Sequence, residues 1–244
     1  MQRWWVIACD WLLCRLRFTG DFTRCTFDPS DVRLMGIALQ RTTPCTTHAG
    51  VVYRDTAGVL RVLHFAYHEM LRDEPCRGPF IFAIPALQDE DQEYLAEFCS
   101  RVYRVNQRGK LPYSFSFDPN LTFDRTGLVV LNQNSGFTCS TFVVALFRST
   151  GNPLVDSSTW PRSADAVDIA ARKYLLDAWR ASGRPNLVTR ASEIEPSIQT
   201  MRISPEQVAG AGLQRRLPTG YFRATFNGAE VLRRFATFFG QASP

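Results

Sequence analysis

Apolar positions along the chain follow two periods, and the change of period marks the elements. Residues 31–40, DVRLMGIALQ, form a short apolar run that predicts a buried strand, followed by the loop-like RTTPCTT. Two β-rich runs, 48–53 and 59–65, flank the turn-forming RDTAG and predict a hairpin. In DEDQEYLAEFCSRVYRVNQR, residues 89–108, apolar or aromatic side chains fall at 94, 95, 98, 102 and 105. That spacing suits an amphipathic helix stopped by Gly109. KLPYSFSFDPNLTFDRTG reads as an aromatic-rich loop, and LVVL at 128–131 as a short strand.

The run from Thr141 to Phe147 carries no charge and predicts a buried helix from Cys139 to near Gly151. SADAVDIAARKYLLDAWRASG predicts a further helix, with Ser163 as its N-cap and Gly183 as its stop. ISPEQVAGAGL starts another, with Ser204 as N-cap, Pro205 in the first turn and Gln207 completing a capping box. GAEVLRRFATFFG predicts a last one. No internal repeat is visible.

Composition narrows the class. A chain of 244 residues that is 45% hydrophobic can bury a sizeable core, and one embellished domain is the simplest expectation. Net charge is +5, but the arginines are scattered and form no basic stripe, which argues against nucleic acid as a partner. The seven cysteines, at 9, 14, 25, 45, 76, 99 and 139, include no CxxC pair and point away from a disulfide scaffold. Trp4 to Cys14 has the length of a signal-peptide core, but Asp10 interrupts it and no small-x-small cleavage site follows. A folded element packing on the domain is the expectation there, with membrane contact or export as alternatives.

Cys139 is the first chemical candidate. Thr138 is a good N-cap, which places Cys139 in the first helical turn. There, free backbone N–H groups and the helix dipole favour a thiolate and can hold a developing oxyanion. A small buried packing residue is the competing interpretation. A thiol nucleophile needs a base, and only His48, His64 and His68 are available. A three-residue loop of Asp55, Thr56 and Ala57 places His48 directly opposite His64; a two-residue loop separates them onto opposite faces. His68 reads as surface or loop. A zinc site of His64, His68, Cys45 and Cys76 has no familiar spacing, and no nucleotide-binding or GxSxG motif occurs. No cofactor or metal is expected.

Three segments together resemble the circularly permuted papain-like cysteine hydrolases of the NlpC type and their relatives, the lecithin:retinol acyltransferase-like enzymes. THAGVVY is similar to the family's His-hydrophobic-Gly strand, GKLPYSF to its Gly-x-Pro-Tyr segment, and FTCSTFVVALF to its aromatic-x-Cys-Ser helix start. His48 precedes Cys139, the order of the permuted branch, and ISPEQVAGAGL is a softer echo of a downstream helix start. Thr141 stands where many permuted members have Glu.

The resemblance implies an α+β, papain-like fold with an antiparallel sheet packed against helices. It implies Cys139 as nucleophile, His48 as general base and His64 as the third polar residue. Tyr113, Ser140 and Thr138 would lie at the oxyanion or substrate. Residues 1–30 become an N-terminal extension, 31–150 the catalytic core, and 151–244 a helical part completing or decorating it. The implied chemistry is acyl transfer through a thioester. Peptides or other amides, including peptidoglycan, are the leading substrates, as for an antibacterial effector. A lipid acyl hydrolase or acyltransferase and a catalytically silent binding module are the alternatives. Synthesis in the cytoplasm is expected, with export by a dedicated system as an option.

Overall fold

The computed structural model describes residues 20–43, 46–107, 111–130 and 135–240. The segment from Trp4 to Cys14, together with Cys45 and Gly109, lies outside the described residues. An antiparallel sheet is built from β1 (Cys25–Thr26), β2 (Met35–Thr43), β3 (Thr46–Arg54), β4 (Leu60–Tyr67), β5 (Met70–Pro75) and β6 (Ile81–Ala83). Its order is β1-β6-β2-β3-β4-β5. Helix α1 (Asp89–Asn106) follows, and then a small hairpin of β7 (Thr122–Phe123) and β8 (Val129–Val130). The remaining helices are α2 (Cys139–Ser149), α3 (Ala166–Ala181), α4 (Pro185–Ile194), α5 (Pro205–Gly212) and α6 (Tyr221–Gly240). The molecule is thus α+β.

Period-2 alternation divides the sheet into two faces. Ile37, Leu39, Ala49, Val51, Leu63 and Phe65 point into the main core with α1, α2 and α5. Ala38, Val52, Val62 and Phe82 form a smaller cluster with Val32. The run Thr141 to Phe147 is buried throughout, because α2 is enclosed by β3, β4, β7 and α5. Its apolar side chains leave no polar face to hydrate.

Several boundaries differ from the pattern. The first buried strand begins at Met35, and the expected RTTPCTT loop is largely strand, since β2 runs to Thr43 and β3 starts at Thr46. Polar Thr, Gln and Arg on these strand ends conceal the β period. The 48–65 hairpin turns through five residues, Asp55 to Val59, with Arg54 facing Leu60. The Asp55 carboxylate accepts from the N–H groups of Ala57 and Val59, and Gly58 adopts φ 77°, so the turn is set by an Asx contact and a left-handed glycine. The N-cap of α3 is Asp165, whose side chain accepts from the Asp168 N–H, and not Ser163. Helix α4 has no counterpart in the expected elements, and α6 begins at Tyr221, before the GAEVLRRFATFFG stretch.

Two features of the second half hold the frame. Helices α5 and α6 meet through glycines: a Cβ on Gly210 would lie 2.4 Å from the Gly228 nitrogen. Helices α3 and α4 form a separate apolar cluster with Phe115 through Leu176, Trp179, Leu187 and Ala191. Residues 151–240 therefore contribute α5 and α6 to the main core and α3–α4 to the aromatic segment.

Candidate active site

Cys139 is the first residue of α2. The Thr138 side chain accepts from the Thr141 N–H, and the Thr141 hydroxyl accepts from the Thr138 N–H at 2.8 Å, closing a capping box. Thr141 thus fulfils at the third helical position the role that Glu has in the usual capping box. The Thr138 hydroxyl is committed to the cap. Ser140 is buried, and its hydroxyl lies 3.9 Å from the Cys139 sulfur. Of the substrate-facing groups expected there, the N–H groups at the first two helical positions have no carbonyl one turn back and remain available.

Strand β3 supplies the rest. Its paired register with β4 runs from Arg54↔Leu60 to Val51↔Leu63. Below Val51 the start of α2, which packs on both strands, meets the β3 backbone. Here the Ala49 backbone and the His48 side chain lie close enough to the Cys139 sulfur to lower its thiol pKa. His48 Nε2 lies 2.8 Å from His64 Nδ1. That leaves His48 Nδ1 for the sulfur.

The two histidines are not directly opposite, as the three-residue loop required. The longer turn slips the register by two, so His64 falls opposite Gly50 and diagonal to His48. A slip of two keeps both side chains on one face. Gly50 makes the diagonal contact fit, because a Cβ there would lie 2.9 Å from His64 Cβ and 3.0 Å from the Leu63 carbonyl oxygen.

The electrostatics follow from these contacts. Burial opposes ionisation of Cys139, but the His48 hydrogen bond and charge, with the Ala49 N–H and Ser140, outweigh it and hold the thiol below its ordinary 9.0. Burial also opposes a charged His48, and the Cys139 hydrogen bond and negative charge hold it above its ordinary 6.5. His64 is pushed down to about 4 by burial, then by the charges of His48 and Arg72. These shifts favour the thiolate of Cys139 beside a charged His48, with His64 as a neutral imidazole. Neutral His64 accepts at Nδ1 from His48 Nε2–H and carries its own proton on Nε2.

Tyr113 is brought to this line by an isolated parallel bridge to Phe137. The Phe137 N–H donates to the Pro112 carbonyl at 2.9 Å, and the Ser114 N–H to the Phe137 carbonyl at 3.1 Å. Gly136 permits the approach, since a Cβ there would meet the Pro112 oxygen at 2.5 Å. Burial, then the Cys139 charge, push the Tyr113 phenol up, so it stays a neutral donor. Arg190 Nε donates to the Tyr113 carbonyl at 2.6 Å, and the ring packs on Phe65, Phe115 and Trp179.

His68 is buried rather than on the surface: its Nδ1 accepts from the Tyr113 N–H at 3.3 Å, and its ring packs near Trp179. It is a positioning contact for the aromatic segment. Among the described residues no group of three His, Cys, Asp or Glu side chains is arranged to hold a metal. Cys25, Cys76, Cys99 and Cys139 are free thiols. Burial pushes Cys25 up to about 11 and raises Cys99 further, so Cys139 alone of these four has a lowered pKa with a base beside it. No described helix is long and apolar enough to cross a membrane.

Sequence patterns did not single out Gly136, Arg72 or Arg190, and gave Ala49 and Gly50 no role beyond their places in the His-hydrophobic-Gly strand. Gly50 stands inside the THAGVVY motif, and its lack of a side chain was the available signal. The chain matches no protein-family model, no curated protein and no solved structure.

Proposed function

We propose that the protein is a cysteine-dependent acyl-transfer hydrolase acting on amide bonds, with the papain-like arrangement that its motifs resemble. The observation that carries this reading is the line Cys139–His48–His64 at a capped helix N-terminus. The Cys139 thiolate attacks the carbonyl carbon, and the carbonyl π electrons move to oxygen. The N–H groups of Cys139 and Ser140, with the Tyr113 hydroxyl, hold that oxyanion. The intermediate collapses, the C–N bond breaks, and His48 gives its Nδ1 proton to the leaving amine. Water then attacks the thioester while His48 takes its proton. The carboxylic acid leaves, and the thiolate is restored. His64 keeps the His48 ring oriented throughout.

A polar amide or peptide suits the surroundings better than a long acyl chain. A cavity of about 400 Å³ between the starts of α3, α5 and α6 is lined by Asp165, Asp168, Arg202 and Glu206. Cys139, His48 and Tyr113 do not line this cavity; it approaches the site through Arg202, which is near enough to Tyr113 to act on its phenol, and through Glu206, which accepts from the Thr47 hydroxyl at 2.9 Å. Peptidoglycan peptides belong to this substrate class. The test is turnover of peptidoglycan fragments, peptides and phospholipids side by side. Cys139→Ala and His48→Ala are each expected to lose activity roughly 10³-fold or more while retaining the native circular dichroism spectrum. Full hydrolysis by Cys139→Ala would overturn the nucleophile, and turnover of phospholipid alone would overturn the substrate class.

A further inference from the structure

His64 and His48 share one hydrogen bond, and a proton within it can sit on either ring. If it sits on His64, the positive charge lies one ring further from the sulfur, and the thiolate loses its close counterion. The structure offers a device that decides between the two rings. Strands β4 and β5 pair with His64 directly opposite Arg72. Directly opposed side chains in an antiparallel pair share a face and lie within about 5.5 Å at Cβ. Arg72 Nη1 in turn lies 3.2 Å from Glu74 Oε1, on the same face of β5. A row therefore runs from Arg72, which is held by Glu74 on its own strand, across to His64 and His48 and on to Cys139.

From the geometry we infer that Arg72 is a positioning residue that keeps the shared proton on His48, beside the sulfur. This rests on the Cys139–His48 pairing proposed above. The charges facing His64 are few. On β3 it meets His48, on β5 Arg72 with Glu74 behind it, and Cys139 at the start of α2 lies beyond His48. Asp73 and Arg61 pair with each other and are not among the groups acting on His64. Among the described residues no carboxylate acts directly on His64, so a second proton there would stand between two cations. The lowered pKa of His64 agrees with this placement. Arg72 is half-exposed, with about 49% of its side chain accessible, so its substitution leaves the core intact.

The test is the pH dependence of Cys139 alkylation by iodoacetamide, which needs no substrate, with ¹⁵N shifts of both imidazoles followed in parallel. Arg72→Met is expected to move the acid limb of alkylation to higher pH. The rate on that limb should fall roughly threefold, the scale of one charge at such a distance near water. Arg72→Glu should move it further, and Arg72→Lys should restore it. His64 should begin to titrate above pH 5 in the Met and Glu variants only. Unchanged acid limbs and imidazole shifts in Arg72→Met and Arg72→Glu would overturn the inference while leaving the Cys139–His48 pair standing. A wild-type thiol that titrates like a free cysteine would overturn both.

Discussion

At the scale of single residues, a glycine determines where a histidine can stand. Gly50 lies opposite His64, and a methyl group there would overlap its Cβ at 2.9 Å. Gly50→Ala should therefore cost about 1–3 kcal/mol of stability through overpacking. It should also break the His48–His64 contact. In urea unfolding and alkylation measurements we expect both a lower midpoint and a Cys139 acid limb moved toward that of a free thiol. A variant that lost stability but kept the acid limb would show that the glycine serves packing only. Much at this scale was legible in the chain. Thr138 caps the helix, Cys139 opens it, and the two histidines share a face. Their register was not legible, because the Asx contact of Asp55 and the left-handed Gly58 admit more than one turn length. His68 was misjudged because its partner is the main-chain N–H of Tyr113, which no side-chain pattern reveals.

At the scale of elements, helices with an uninterrupted apolar period were legible, and short or polar ones were not. The run Thr141 to Phe147 of α2 is buried throughout because β3, β4, β7, α1 and α5 pack around it, and α5 announces itself by the reciprocal cap between Ser204 and Gln207. Helix α4 is short, opens on Arg184 with no side-chain cap, and buries only Leu187, Ala191 and Ile194. Strand ends rich in Thr and Arg likewise look like loop until a neighbour supplies the ladder. The contact between α5 and α6 has its own signature, because Gly210 and Gly228 each face the backbone of the other helix. Gly210→Val should cost about 3 kcal/mol or more, since neither backbone can retreat. Equilibrium urea unfolding would show it. A cost under about 0.5 kcal/mol, the range of ordinary surface substitutions, would mean that the helices separate freely.

At the scale of the whole molecule, the C-terminal half bears on the proposed chemistry through the aromatic segment. Arg172, with only 6% of its surface exposed, donates to the carbonyls of Ile198 and Thr200 and lies 4.9 Å above the Phe115 ring. Arg190 holds the Tyr113 carbonyl from α4. Arg172→Met would leave those carbonyls unpaired, at a cost of about 2–4 kcal/mol. It should also loosen Tyr113, lowering kcat with a smaller effect on KM, because the proposed mechanism has Tyr113 serve the oxyanion. Steady-state kinetics with near-ultraviolet circular dichroism would separate this from global unfolding; an unchanged kcat would remove the C-terminal half from the oxyanion site. The row from Arg72 through His64 and His48 to Cys139 passes from β5 to β4 to β3 and on to α2, so its members are neighbours in space and distant along the chain. Functional dependence between positions should follow it. A change at Arg72 should find its compensation at His64 or His48, in the adjoining strands, and not at Leu71 or Asp73 beside it. Selection on such a protein would then write its history across the sheet, leaving pairs of positions that vary together only where one strand lies against the next.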